Sequence, residues 1–217
     1  MNIILDIKKF QPLVPNAHSA YKNAAGTAQA VLDRHGITKT KFRLFHFLAQ
    51  VMHESSGFSV FYENLNYSAK RLPQVWPNHF LPKGPLDPNQ YEFKPELLAN
   101  TIYGERLAKK MGNEMREDGY KYRGRGLLQI TGKYNYRNIT KIVKQYHPDC
   151  PDFVLDPDQV LSSNWCFEVA AAFWEASGCN EAADADNLDR VTRLINGGIN
   201  GLSDRKEFYK KITYALS

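Results

Sequence analysis

The fold is decided by the stretch of residues 40–57, which reads TKFRLFHFLAQVMHESSG. Large and small apolar side chains recur there at the spacing of one helix face, at Phe42, Phe45, Ala49 and Met52. The apolar residues between them widen that face, so the pattern predicts a helix over residues 40–55 that is buried on nearly all sides. Gly57 is well placed to end it, because glycine adopts the left-handed conformation that commonly follows a helix.

Further helices are predicted along the rest of the chain from the same periodicity. Their expected ranges are 96–112, 135–146, 163–177, 187–195 and 203–217. Ser163 is expected to cap one of them and Ser203 to open the last. Strand-like alternation is short, and LLQIT is its best example, so at most a small β element is expected near residues 125–131. We therefore predict a mainly α fold and a single domain that spans residues 1–217.

The composition is that of a globular protein with a modest positive charge. Hydrophobic residues make up 43% of the chain and aromatic residues 12%, which excludes disordered and fibrous classes. The net charge of +5 favours polyanionic partners such as nucleic acid or bacterial wall surfaces, but is equally compatible with an ordinary basic surface. Because the basic residues are dispersed and no reader motif is present, nucleic acid is not an expected partner.

Metal sites and disulfides are not indicated either. The three cysteines have no disulfide or metal spacing, so we expect them to be buried thiols. They are Cys150, Cys166 and Cys179. His53 and Glu54 do not continue as HExxH, so no metal site is expected, and His46 is interpreted as a core histidine.

Membrane insertion and secretion find no support in the sequence. No apolar run reaches the length of a bilayer span, which argues against stable membrane insertion. The first residues, MNIILDIKKFQPLVP, lack the pattern of a secretion signal, so we expect the protein to accumulate in a cytoplasm.

Two acidic residues carry the sharpest chemical signal. Glu54 stands at the C-terminal end of the apolar helix, and Glu63 follows in a polar, aromatic loop. Apolar surroundings and the negative helix end both favour a protonated Glu54, as a general acid requires. Glu63, beside Tyr62, is expected to stay ionised and to act as a base. Such a pair suits glycoside hydrolysis, although a helix-end acid and a solvated loop acid are also common without any function.

A second polar cluster occurs in KYRGRGLLQITGKYNY, residues 121–136. Glycines permit close approach of the backbone to a ligand, while amides and hydroxyls suit sugar hydroxyls and N-acetyl groups. The residues concerned are Gln129, Thr131, Tyr134 and Asn135. The same segment also fits a glycine-rich turn between elements. It lacks the residue order of a phosphate-binding loop, so a nucleotide site is not expected.

The third cluster is INGGINGLSDRKEFY, residues 195–209. Asn196 and the two glycines after it form a strong turn signal, which also fits the end of a helix. Arg205 falls on the first turn of the last predicted helix. It fits either a buried ion pair or a position facing a ligand, and the sequence leaves both alternatives open.

Together and in this order, the three clusters resemble the chitinase-like lysozymes of glycoside hydrolase family 19, in particular the single-domain endolysins of phages and prophages. The resemblance covers about residues 42–212 and is carried by HESSGF, YENLNYSAKRL, YRGRGLLQITGKYNY and the INGG and SDR motifs. It implies a mainly α fold whose two lobes flank a glycan-binding groove. It also implies a single catalytic domain without a separate wall-binding module.

The resemblance further implies a role for each candidate residue. Glu54 becomes the general acid, Glu63 the general base, and Thr131 holds the attacking water. The implied substrate-binding residues are Tyr62, Gln129, Tyr134, Asn135, Asn196 and Arg205, of which the last two support the site from behind. The reaction implied is inverting and needs no metal or organic cofactor.

The leading functional hypothesis is therefore a peptidoglycan-degrading endolysin. It would cut the β-1,4 link between N-acetylmuramic acid and N-acetylglucosamine and cause host cell lysis. The implied partners are peptidoglycan glycan strands and a holin for release, with the chain acting as a monomer on the periplasmic wall after storage in the host cytoplasm.

Three alternatives remain open at this stage. Chitin hydrolysis is the nearest, and the proline-rich stretch 72–95 is longer than expected of a compact endolysin, which bears on substrate preference. A lytic transglycosylase needs only one acid, so Glu63 argues against it. A non-catalytic module that binds wall glycan is the third.

Overall fold

Helices account for nearly all of the regular structure. The computed structural model describes residues 2–217. The longer helices are Ser19–Arg34, Lys41–Glu54, Lys133–Tyr146, Cys166–Ala176, Leu188–Asn196 and Leu202–Leu216. Short helices are Ile7–Phe10, Leu72–Val75, Pro95–Ala99, Ala108–Met111, Asp118–Lys121 and Cys179–Asp184, with 3-10 turns at Gln11–Leu13, Ile37–Lys39, Pro88–Gln90 and Pro157–Leu161 and a π-helix at Asn100–Arg106.

The β content is limited to two isolated bridges within the described residues. Arg125 pairs with Ile130 in an antiparallel bridge, and Phe80 pairs with Leu86 in a parallel one. The predictions of a mainly α fold and of a small β element near residues 125–131 are both confirmed.

The central helix forms where the sequence predicts it. The Lys41–Glu54 helix is capped by the hydroxyl of Thr40, which accepts a hydrogen bond from the N–H of Arg43 at 3.2 Å. Every residue from 44 to 52 is buried, including His46, which confirms the predicted all-round burial for this part of the helix. Phe42, which the pattern placed on the buried face, is 45% exposed because it lies in the first turn, before the covered part of the helix. After the helix, Gly57 adopts a φ of +68° and its N–H donates to the carbonyl of Met52 at 2.7 Å.

Two predicted element boundaries are wrong. The helix predicted over 163–177 begins at Cys166 without a side-chain cap, because the preceding segment turns as a 3-10 helix and leaves Ser163 outside. The last helix begins at Leu202, one residue before Ser203. The end of the helix predicted over 163–177 is predicted well, because Gly178 follows the helix with a φ of +67°.

The prediction of a single helix over 96–112 is also wrong, because the segment divides into two short α-helices on either side of a π-helix. Tertiary contacts explain the division. A Cβ on Gly104 would lie only 2.1 Å from the carbonyl oxygen of Arg116. The side chain of Asn100 accepts the N–H of Tyr120 at 2.7 Å. These contacts lie outside the reach of local periodicity.

The Ser19–Arg34 helix was not predicted from the sequence. Its buried face is Tyr21, Ala24, Ala28, Val31 and Leu32. Small alanines contribute much of that face, so the pattern of large apolar residues that marks the other helices is weak here. The nitrogen Nδ1 of His18 caps it by accepting the N–H of Ala20 at 3.2 Å.

The described chain divides into two compact units. The first contains residues up to 61, 125–130 and 138–217, and the second contains 62–124 and 131–137. That both belong to one catalytic domain stays a prediction. In the first unit, Phe47 and Trp174 meet edge to face at 5.5 Å within the core. Near that core, His35 lies between two carboxylates, with Glu175 at 2.5 Å and Glu168 at 2.9 Å.

The second unit has a smaller core of its own. Its buried residues are Leu65, Leu72, Phe80, Leu98, Ala99 and Ile102. A polar network supports the start of the Lys133–Tyr146 helix, where Asp118 accepts the backbone N–H of Glu114 at 2.9 Å and the ammonium of Lys133 at 3.2 Å. These bonds lower the pKa of Asp118 against the opposing effect of burial, which is the largest single influence on it.

The three cysteines are buried and unpaired, as predicted. Burial raises the pKa of Cys166 and of Cys179 to about 12. We therefore expect both thiols in the native chain to react with Ellman's reagent at pH 8 roughly a thousandfold more slowly than a free thiol, because the thiolate is the reactive form. The chain unfolded in guanidinium chloride serves as the control, and all three of its thiols should react with the reagent. Rapid labelling of either residue in the native state would contradict this burial.

Among the described residues, none of the helices combines the length and apolar character needed to cross a membrane.

Candidate active site

Glu54 is held at the end of its helix by a buried arginine. The guanidinium nitrogen Nη2 of Arg205 donates to Oε1 of Glu54, and Nη1 donates to Oε1 of Gln50. The side chain of Arg205 is completely buried, whereas that of Glu54 is 15% exposed. The question that the sequence left open is thereby answered: Arg205 forms an ion pair with the candidate acid. The sequence predicted apolar surroundings for Glu54, but the structure also places the positive charge of Arg205 beside it.

Local structure explains this pairing. Gln50 and Glu54 are four residues apart on one helix, so they lie on the same face, one turn apart. Arg205 follows Gly201, whose φ of +69° begins the last helix in a left-handed conformation. A Cβ on Gly201 would lie 2.1 Å from the ring of His53, so only glycine fits beside that ring. Burial, and then the charge of Arg205, lowers the pKa of His53.

Glu63 is fixed by hydrogen bonds to both carboxylate oxygens. The N–H of Gly124 donates to Oε1 at 2.5 Å, and the hydroxyl of Tyr103 donates to Oε2 at 2.9 Å. The backbone N–H of Glu63 in turn donates to the carbonyl of Gly124 at 3.0 Å. The carboxylate is thus oriented by the protein instead of moving freely in a loop.

Tyr103 is a site residue that sequence reasoning missed. It stands on the π-helix Asn100–Arg106, a geometry that is uncommon and is often found at functional sites. Burial and the charge of Glu63 raise the pKa of Tyr103 well above its usual value, so the hydroxyl remains a donor. The two residues are 40 positions apart, and no local motif links them.

Replacing Tyr103 by phenylalanine is expected to lower glycan turnover about tenfold and to cost about 1–3 kcal/mol of unfolding free energy, because Glu63 loses a donor. Turnover of soluble glycan and chemical denaturation measure the two effects. Tyr214→Phe is the matched control, since Tyr214 is 93% exposed. Unchanged turnover in Tyr103→Phe would show that this hydrogen bond has no role in the reaction.

An aromatic and cationic cluster lies beside Glu63. The guanidinium carbon of Arg123 is 4.8 Å from the ring centroid of Tyr62 and 4.0 Å from that of Tyr120. An open pocket of about 270 Å³ is formed around these residues. It is lined by Tyr62, Glu63, Asn64, Leu65, Asn66, Pro95, Tyr120 and Arg123. The candidate ligand residue Tyr62 therefore lies in the same pocket as the candidate base.

Three further candidates belong to the same unit as Glu63. Asn135 donates through Nδ2 to the carbonyl of Thr131 at 2.8 Å. Tyr134 is 57% exposed, and its Cβ would be 2.8 Å from a Cβ on Gly112, so that glycine leaves room for it. The structure thus groups Thr131, Tyr134 and Asn135 on one short segment.

The other candidates belong to the unit that contains Glu54. Gln129 has a φ of +49° and donates through Nε2 to the carbonyl of Gly126 at 3.0 Å. Asn196 is an exposed residue at the end of the Leu188–Asn196 helix, and Gly197 follows it in a left-handed conformation, as its turn signal predicts. Of the predicted residues in this unit, Arg205 is the one that bonds directly to Glu54.

Comparison with known proteins finds relatives over nearly the whole length of the chain. No family model matches the chain. The chain is 38% identical over 212 residues to a glycosyl hydrolase family 19 domain-containing protein of Haemophilus influenzae, covering 98% of this chain and 97% of that protein. It is 26% identical over 223 residues to endochitinase 2 of Solanum tuberosum, with 90% of this chain aligned to 61% of the potato protein.

Solved structures show the same fold. A bacterial family 19 chitinase matches with a TM-score of 0.60 and 19% identity, covering 97% of this chain and 93% of that one. Chitinase C from Streptomyces griseus HUT6037 matches with a TM-score of 0.60 and 17% identity, covering 96% of this chain and 75% of that one. With the full-length similarity to the Haemophilus protein, these findings show that the chain belongs to glycosyl hydrolase family 19 and is a glycoside hydrolase of the chitinase-like, mainly α fold.

Proposed function

We propose that this hydrolase is a muramidase that cuts the β-1,4 link between N-acetylmuramic acid and N-acetylglucosamine with inversion. The observation that carries the proposal is that two carboxyl groups are each held in a fixed orientation: Glu54 accepts from the buried Arg205, and Glu63 accepts from the hydroxyl of Tyr103 and the N–H of Gly124. Glycoside hydrolysis requires two such carboxyl groups, one that donates a proton to the leaving oxygen and one that activates water. The net charge of +5 favours approach to an anionic wall.

Glu54 acts as the general acid in this proposal. Arg205 contacts Oε1, so we assign the transferred proton to Oε2, from which it passes to the glycosidic oxygen of the leaving sugar. The transfer leaves a carboxylate beside the guanidinium of Arg205. A buried cation at that position stabilises the charge that develops on Glu54 as the proton leaves.

Glu63 acts as the general base. Its hydrogen bonds with Tyr103 and Gly124 orient both oxygens, so the carboxylate is positioned to take a proton from water. The hydroxyl of Thr131 holds that water, which attacks the anomeric carbon opposite the leaving sugar. Tyr62, Tyr134 and the other predicted ligand residues contact the glycan.

The biological setting belongs to the same proposal. The chain acts as a monomer on the periplasmic wall, after release from a host cytoplasm through a holin, and so causes lysis. Expression of the chain alone in a Gram-negative cytoplasm should leave the cells intact, and co-expression with a holin should lyse them. Lysis at the same rate without the pore protein would contradict release through a holin.

Digestion of purified peptidoglycan sacculi, analysed by mass spectrometry, tests the proposed reaction. Wild type is expected to release muropeptides that end in reducing N-acetylmuramic acid, and Glu63→Gln is expected to release none above background. The matched control is Glu105→Gln, which neutralises an acid whose side chain is 48% exposed in the same unit and should leave the products unchanged.

Other products would support the alternatives. Chitinase action is favoured by the endochitinase relatives, and turnover of chitin oligomers without any release from sacculi would establish it in place of the muramidase. Products with 1,6-anhydro ends would identify a transglycosylase. Binding to sacculi without any product would identify a non-catalytic wall-binding module.

A further inference from the structure

The guanidinium of the half-buried Arg123 is held by two aromatic rings and a backbone carbonyl. It lies against the rings of both Tyr62 and Tyr120, and its Nη1 donates to the carbonyl of Tyr120 at 3.0 Å. Stacking on aromatic rings and a backbone hydrogen bond restrict the rotation of the side chain. Less conformational freedom is therefore lost when such a pre-organised fork binds a ligand.

The pocket around Arg123 has the chemistry of a site for an acetylated amino sugar. Tyr62 and Tyr120 offer aromatic surfaces, and the amides of Asn64 and Asn66 offer both donors and acceptors. Glu63 lines the same pocket, so a ligand there lies beside the candidate base. A pocket of about 270 Å³ that is open to solvent leaves a substituent of the sugar room to extend outwards.

Charge distinguishes two ligands for this pocket. Chitin is neutral, and a cation contributes little to binding it. N-acetylmuramic acid carries a lactyl arm that ends either in a free carboxylate or in an attached peptide with acidic residues, and Glu63 repels an anion brought into the same pocket. A guanidinium in the pocket offsets that repulsion and attracts a carboxylate through its charge.

We propose that Arg123 is a specificity-determining residue that binds a carboxylate carried by the lactyl arm of N-acetylmuramic acid. The inference rests on the proposed muramidase function and names the part of the substrate that this pocket recognises. The carboxylate has two sources, the free lactyl group of strands without peptides and the acidic residues of the attached peptide. Arg123 selects wall glycan over chitin in either case.

Binding to an inactive chain tests this inference separately from hydrolysis. In a Glu54→Gln background, calorimetry would measure binding of three tetrasaccharides: neutral chitotetraose, a wall tetrasaccharide with free lactyl carboxylates, and the same glycan with peptides attached. Adding Arg123→Gln is expected to weaken the carboxylated ligands about tenfold. The loss for chitotetraose should be at least severalfold smaller. Of the two carboxylated ligands, the one that loses more affinity identifies the source of the carboxylate that Arg123 binds.

Two further variants complete the design. Arg123→Lys retains the charge but not the planar fork, so it should recover only part of the affinity. Arg137→Gln neutralises an arginine of the same unit that is 45% exposed, and it should leave all three affinities unchanged. Raising the salt concentration should reduce the effect of Arg123→Gln.

Equal losses for neutral and carboxylated ligands would overturn the inference, because Arg123 would then merely support the pocket or balance Glu63. No loss for any ligand would overturn it as well. If Arg123→Gln fails to fold by circular dichroism, the comparison of Arg123→Lys with the parent decides by the same criterion. Failure of the wild type to digest sacculi would refute the proposed function alone, since binding is measured without turnover.

Discussion

Replacing Glu54 by glutamine is expected to lower glycan turnover at least about a thousandfold, because the variant cannot donate a proton to the leaving oxygen. The amide oxygen can still accept a hydrogen bond from Arg205, but the guanidinium loses its counter-charge. We therefore also expect a loss of about 1–3 kcal/mol in the free energy of unfolding. Single-turnover assays and urea denaturation measure the two effects independently.

The matched control for this variant is Glu207→Gln. Glu207 is also an acid of the first unit, but its side chain is 60% exposed and pairs with Lys210 on the surface. An exposed pair of this kind contributes little to stability, so turnover and the unfolding transition should both remain close to wild type. Retention of more than a tenth of the wild-type turnover in Glu54→Gln would exclude Glu54 as the acid.

Replacing Arg205 by methionine is expected to have the largest effect on stability. The change removes a fully buried cation and leaves the carboxylate of Glu54 and the amide of Gln50 without their donor. Removing one partner of a buried ion pair lowers the free energy of unfolding by about 3–5 kcal/mol. Urea denaturation of the variant and the wild type would measure this loss. Turnover should fall about a hundredfold even where the chain is folded, because the cation no longer stabilises the charge that forms on Glu54.

The double variant Glu54→Gln, Arg205→Met separates the ion pair from packing. Each single variant leaves one buried group without a counter-charge, whereas the double variant contains neither charge. We expect its unfolding free energy to exceed that of Arg205→Met alone, which gives a coupling energy of about 1–3 kcal/mol. Additive losses would show that the two side chains do not interact energetically.

Much of the helical structure could be predicted because its determinants are local. The Lys41–Glu54 helix has a cap, a continuous apolar face and a glycine after its end, all within one short stretch. The Leu188–Asn196 helix likewise has Asn187 as its cap, which accepts the N–H of Arg190 at 2.9 Å, and Gly197 after it. Periodicity and capping act over a few residues, so a single sequence displays them.

Elements that depend on distant contacts were predicted poorly. The segment from Pro95 to Met111 has helical periodicity, but it widens into a π-helix where Gly104 packs against the backbone of Arg116. The Ser19–Arg34 helix buries mostly small residues, whose pattern is weak until the helices that cover them are known. In both cases packing between remote segments decided the outcome.

The sequence by itself predicted the mainly α class, because periodicity and capping act over a few residues. Its ordered motifs also indicated the family, and that resemblance made Glu54 and Glu63 the candidate acid and base. Only the tertiary structure decided what each carboxylate touches. Arg205 reaches Glu54 across 151 positions, and Tyr103 reaches Glu63 across 40. A charge or hydrogen bond depends on distance in space, and folding alone brings such separated residues within reach.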